Sequence, residues 1–160
     1  MKKKLSILFV LCLITIMGLA QDHLKIKSVF DKYGKQDGSV LVQLSTDILS
    51  QGSRIKFYKS LIADYSIEKE TDAITALTND VNKGVKISEM KKDGKIESGT
   101  YYIKSQNANN GYEYILYKNK SKKITVVYMQ GNFPPQQLDS ELKKLKDLFI
   151  YVNNKRIKLQ

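Results

Sequence analysis

Between Val85 and Gln130 the chain alternates apolar and polar residues in four short runs separated only by tight polar connections. Val85-Lys86-Ile87-Ser88-Glu89-Met90 is the first run, and Asp93-Gly94 divides it from Ile96–Ser105 with a dipeptide that favours a two-residue hairpin loop. Tyr112–Lys118 and Lys123–Gln130 follow, after the polar stretches Asn107–Gly111 and Asn119–Lys122. Parallel neighbours need a crossover of a dozen or more residues, so strands joined this closely form an antiparallel meander. A meander has to bury at least one face, and the rest of the chain must supply the cover.

Three helical patterns are available for that. Ile26, Val29, Phe30 and Tyr33 fall at helical spacing before Gly34. Ala73, Ile74, Leu77 and Val81 form a stripe over Glu70–Asn82, with Thr71 or Asp72 as its cap and Lys83-Gly84 as its stop. After Gly131-Asn132-Phe133-Pro134-Pro135, the positions Leu138, Leu142, Leu145, Phe149 and Val152 predict a last helix, with acidic residues early and lysines late to complement its dipole. Asn153–Gln160 reads as a tail or a short edge strand. Between the first two helices, Ser39–Leu44 is apolar on both faces, which suits a central strand, and Arg54–Ala63 reads as a second strand. A helical turn at Asp47–Leu49 fits the connector between them. The order gives a two-layer α+β domain, a mostly antiparallel sheet with about three helices packed on one face.

The chain opens with Lys2-Lys3-Lys4, an uncharged run from Leu5 to Met17, and Gly18-Leu19-Ala20 before Gln21. A cationic start, a short apolar run and small residues before the cut predict a signal peptide over residues 1–20, cleaved between Ala20 and Gln21. The run is short of the roughly 20 apolar residues that a membrane-spanning helix needs. Lipoprotein processing needs a cysteine at the cut, whereas Cys12 lies inside the apolar run. Residues 21–160 are then a single exported domain, periplasmic or extracellular, with no cysteine and hence no disulfide. Removing the leader takes three of the 27 basic residues and none of the 16 acidic ones, which leaves a net charge of +8. Only Arg54 and Arg156 among the basic residues are arginine. Scattered lysine of this kind reads first as a solvated surface, and second as a patch for anionic lipid or polysaccharide. Export argues against nucleic acid.

Catalytic groups are scarce. Cysteine chemistry leaves with the leader, and the one histidine, His23, lies at the mature terminus and reads as an incidental tail residue. A zinc site lacks its ligands. Asp64, Glu68, Glu70 and Asp72 cluster before the middle helix; they read as solvated helix-terminus charge, with a weak cation site as the alternative. Gly34-Lys35 and Gly94-Lys95 lack the glycine pattern of a phosphate loop. No catalytic, metal or cofactor-binding residue and no cofactor is assigned. The unusual feature is tyrosine: Tyr101, Tyr102, Tyr112, Tyr114, Tyr117 and Tyr128 all fall in the meander. If helices cover one face only, the other exposes aromatic area suited to a partner surface; otherwise the tyrosines reflect strand propensity.

Phe30-Asp31-Lys32-Tyr33-Gly34 and Val126-Val127-Tyr128-Met129-Gln130-Gly131-Asn132, followed by a leucine-bearing final helix, resemble a family of small exported proteins of Bacteroides-type bacteria known only as a domain of unknown function. The resemblance implies an envelope location and carries over no catalytic residue. The expectation is a non-enzymatic envelope module that binds a protein or envelope component through its sheet face or edge. The alternative is a hydrolase or lyase acting on an envelope polymer through carboxylate and tyrosine groups, which requires a pocket holding a buried carboxylate with a raised pKa.

Overall fold

The computed structural model describes residues 23–49, 52–104, 111–146, 149–152 and 155–158. The expected cut at Ala20–Gln21, the leader's Cys12 and the connector 105–110 lie outside the described residues. In chain order the elements are α1 (Ile26–Tyr33), β1 (Ser39–Ser45), the helical turn α2 (Thr46–Leu49), β2 (Ile55–Asp64), α3 (Ile67–Val81), β3 (Val85–Lys92), β4 (Lys95–Lys104), β5 (Tyr112–Lys120) and β6 (Lys123–Gly131). A 3-10 turn (Pro135–Gln137), α4 (Leu138–Lys146) and a hairpin of β7 (Phe149–Val152) with β8 (Lys155–Lys158) complete the chain. The class is α+β, as the patterning predicts.

Six strands form one antiparallel sheet in the order β1-β2-β6-β5-β4-β3. The last four strands of that order are the meander, and the β1–β2 hairpin joins it through β6. β1 therefore sits at the edge of the sheet and not in its centre, although its sequence reads as a central strand. Two hairpin loops carry left-handed backbone at both positions. Asp93 and Gly94 have φ of 52° and 77°, and Ser121 and Lys122 have 55° and 57°. This is the type I′ geometry that matches strand twist, and it is natural to Asp-Gly and costly for Ser-Lys.

The sheet separates two apolar clusters. On the first face, Ile26, Val29, Phe30 and Tyr33 of α1 and Ala73, Ala76 and Leu77 of α3 pack on Leu61, Ala63, Tyr101, Ile103, Ile115, Tyr117, Val126 and Tyr128. On the second face, Leu49 of α2, Phe133 and Leu138 and Leu145 of α4 pack on Leu44, Ile55, Tyr58, Tyr114 and Met129. The last helix thus crosses to the face opposite α1 and α3, because Phe133-Pro134-Pro135 turns the chain back under the sheet on that side.

Two helix limits differ from the periodicity. α3 begins at Ile67, three residues earlier than its apolar stripe, because the Ser66 side chain caps it by accepting the Lys69 N–H at 3.2 Å. α4 stops at Lys146, and the residues that continue its stripe, Phe149 and Val152, lie in β7, paired with β8 through Ile150 and Ile157. A four-residue β-branched and aromatic run, Phe149-Ile150-Tyr151-Val152, favours a strand over a helix. Among the described residues, no helix is long and apolar enough to cross a membrane.

Candidate functional site

The structure corrects the tyrosine surface. Tyr101, Tyr114, Tyr117 and Tyr128 are buried and cannot line an exposed face. The physical reason is the strand order: inserting β6 between β2 and β5 puts the tyrosine strands in the interior of the sheet, with Tyr101, Tyr117 and Tyr128 in the cluster under α1 and α3 and Tyr114 under Phe133. Tyr101 donates to Glu89 Oε2 at 2.5 Å, and Tyr114 donates to the Phe133 carbonyl at 2.6 Å while stacking on its ring at 4.9 Å. Burial pushes the Tyr101, Tyr114 and Tyr128 hydroxyls well above their ordinary range, and Tyr117 up to about 12. Only Tyr102 and Tyr112 stay half-buried, edge-to-face at 5.9 Å on the second face.

What the second face covers only in part is a pair of cross-strand rows at the margin of its apolar cluster, the first of them holding the buried Ser60 and Val127 and the second more exposed. Register places Ser88, Thr100, Leu116, Val127, Ser60 and Val42 side by side in one row. Met90, Ser98, Lys118, Thr125, Ile62 and Val40 make the next. Met90 and Val40, at the two ends, are 57% and 59% exposed. Between them, Ser98, Thr100, Leu116, Lys118, Thr125 and Val127 line a shallow cleft of about 220 Å³. These rows hold a single charge, Lys118, in a chain that is 27% charged. Alternation alone assigns Leu116 to the Tyr114 face, but only the strand order shows which part of that face is partly covered.

The acidic cluster does not act as a unit. Asp64 pairs with Lys123, and Lys32 bridges Glu68 and Asp72 at 2.7 and 2.8 Å. These lysine contacts hold all three carboxyls below the usual carboxylate range. Glu70 turns the other way, into the groove between α3 and the β3–β4 loop. Tyr65 donates to its Oε2 at 2.9 Å and Asn119 Nδ2 to its Oε1 at 3.0 Å, with Lys95 at 3.9 Å. Its side chain is 12% exposed, and clefts of about 290 and 390 Å³ flank it. Among the described residues, no group of three or more His, Cys, Asp or Glu could hold a metal ion.

A buried carboxylate, that of Asp80, lies at the opposite end of α3. Asp80 takes the backbone N–H groups of Lys25 and Ile26, both at 2.7 Å, and burial raises its carboxyl above the ordinary range. It borders a cavity of about 440 Å³ with His23, Asn79, Lys83 and Ile103. His23 is no loose tail residue: its Nε2 lies 3.0 Å from Oε2 of Glu113, whose side chain is 2% exposed. Both Asp80 oxygens are engaged with the start of α1, so this carboxylate caps a helix from a distance. The signal missed in the sequence was an aspartate at the end of a helix, where the dipole disfavours it and an outside partner has to compensate.

A family model described as a family of unknown function (DUF6108) matches residues 13–142. No curated protein and no solved structure matches the chain.

Proposed function

The chain belongs to the DUF6108 family of unknown function, and from that premise we propose that it is an exported cell-envelope protein that binds a partner rather than transforming a substrate. The observation that carries this reading is the partly covered pair of rows on the second sheet face: a nearly uncharged stretch, exposed at Val40, Met90 and Lys118 and half-buried between them, on a chain of net charge +8 after cleavage. Half-buried Leu116, Ile62, Thr100 and Thr125 give it apolar area with hydroxyl groups at the surface, the composition of a protein-binding or glycan-binding face. Export rests on the lysine-led apolar segment and the small residues before Gln21.

A photo-crosslinking residue placed at Thr125 in intact cells tests the reading, with crosslinked species identified by mass spectrometry. Capture of one dominant protein or envelope component, abolished by Ser98→Lys together with Thr100→Lys at unchanged melting temperature, is the expected result. Capture that survives both substitutions removes this face as the site.

Glu70 favours a second reading, a hydrolase or lyase of an envelope polymer. A carboxylate held by a tyrosine and an asparagine beside a cleft is an acid–base arrangement. It predicts polymer turnover that Glu70→Gln abolishes, and an absence of turnover on envelope polysaccharide and peptide fractions rules it out.

A further inference from the structure

β1 is an edge strand with the sequence of an interior one. Natural edges are blunted by charge, proline or bulges, because an open row of backbone N–H and C=O groups recruits another strand. The opposite edge, β3, follows that rule: it carries Lys86, Lys91 and Lys92, and its register shifts at Lys86/Ser88 and at Met90/Lys91. β1 uses none of these devices. Ser39-Val40-Leu41-Val42-Gln43-Leu44-Ser45 has no charge and no proline, and its register with β2 runs unbroken from Ser39↔Ala63 to Ser45↔Phe57. Val40 and Leu41 expose apolar side chains on opposite faces of the strand, and Ile48 is half-exposed on the turn that follows.

We propose that β1 pairs with β1 of a second copy, antiparallel about a two-fold axis at Val42, so that two six-stranded sheets become one. The register follows from the alternation. Directly opposed residues of an antiparallel pair share a face, and a slip of one residue would set the Val40, Val42 and Leu44 side of one strand beside the more polar Ser39, Leu41, Gln43 and Ser45 side of the other. Centring on Val42 matches the faces and uses the whole strand. Val40 then meets Leu44 of the partner subunit on the second face, and Leu41 meets Gln43 of the partner subunit on the first. The row Val40, Val42, Leu44 continues without a break across the axis.

Self-complementarity favours a second copy over a foreign strand, because β1 centred on Val42 sets its own uncharged, apolar row against itself. Two mature chains, each of net charge +8, repel each other at most orientations, and like charges directly opposed weaken a strand pair. β1 is the edge at which two copies meet with no charge facing charge, whereas β3 against itself would oppose lysines. A closed two-fold interface of this kind also uses up both free β1 edges and ends there. The inference does not depend on what occupies the partly covered rows of the second face.

The test combines light scattering with cysteine pairing, in a Cys12→Ser background. Residues on the axis have Cα atoms about 4.5–5.5 Å apart, within disulfide range. Val40 lies four residues from its own copy along the paired strands, on the order of 14 Å away. The expected result is a dimer mass for the wild-type protein and a covalent dimer of Val42→Cys under mild oxidation. Val40→Cys stays unlinked, and Val40→Lys, at an exposed position, shifts the folded protein to monomer. A monomer at every concentration, a dimer that Val42→Cys does not link, or equal linking at both positions overturns the proposal.

Discussion

Asp80, at the end of α3, holds the first turn of α1 by accepting the N–H groups of Lys25 and Ile26 at equal distances of 2.7 Å. Asp80→Ala leaves both donors without their partner, one of them buried, and should destabilise the protein by about 1–3 kcal/mol. The pH dependence has a definite sign. Burial raises the Asp80 carboxyl in the fold, so its contribution is fully present below the unfolded value of about 3.9 and declines as pH rises through the raised value. Urea unfolding of wild type and Asp80→Asn across that interval checks it: the difference between the two should move against the wild type as pH rises. A constant difference would show that Asp80 does not titrate there.

The Lys32 bridge acts in the opposite direction. Its ammonium spans Glu68 and Asp72, and the Tyr33 hydroxyl donates to Asp72 at 2.6 Å. Both carboxyls are lowered, chiefly by hydrogen bonds to Lys32. Their contribution is therefore present above the ordinary carboxylate range and lost as pH falls through the lowered values. The α1–α3 contact is exposed, so salt should weaken it too. Melting temperature against pH should fall more gently on the acid side for Asp72→Asn than for wild type, and the gap between them should narrow in high salt.

Two buried tyrosines predict contrasting outcomes from the same substitution. The Tyr114 hydroxyl donates to the Phe133 carbonyl in the second-face core, so Tyr114→Phe strands a buried acceptor and should cost about 1–3 kcal/mol. The Tyr117 hydroxyl is buried and makes no hydrogen bond of good geometry among the described residues, with the Asn119 side chain as a polar neighbour. Tyr117→Phe removes a buried hydroxyl whose polar neighbour, Asn119, also serves Glu70, and its unfolding midpoint should equal or exceed that of the wild type. Equal losses for the two variants would show that the Tyr117 hydroxyl is satisfied in solution.

The contrast between these tyrosines also marks how far local pattern reaches. Alternation in β5 puts Tyr112, Tyr114 and Leu116 on one face and Ile115 and Tyr117 on the other, and the structure agrees. Hairpin signals such as Asp93-Gly94 fix which meander strands are neighbours. Whether Tyr114 is covered while Thr125 is only half-buried depends on where β2 inserts and where Phe133 and α4 fold back, and those are non-local pairings without a period in the sequence. The same limit applies to Glu70. Its spacing within the acidic run is ordinary, and it becomes distinct only because Tyr65 and Asn119 come together from β-strand ends 54 positions apart in the chain. β1 is the converse case, where the sequence describes an interior strand and the isolated fold does not supply its second neighbour.

The β5–β6 loop gives the last prediction. Lys120 pairs with Lys123, so Ser121 and Lys122 form a two-residue loop, and both have φ near +55°. That region costs a side-chain-bearing residue roughly 1–2 kcal/mol relative to its preferred basins. Glycine avoids that steric cost, at the expense of a more flexible unfolded chain. Lys122→Gly should therefore stabilise the protein by about 1 kcal/mol, and Gly94→Ala, at φ 77° in the equivalent β3–β4 loop, should destabilise it by a similar amount. Lys122→Ser separates strain from charge, since it removes the ammonium and keeps the β-carbon. Urea midpoints that rise for Lys122→Gly and not for Lys122→Ser assign the effect to the backbone. If both rise equally, crowding of lysines at Lys120, Lys122 and Lys123 is the cause, and the loop conformation is not strained.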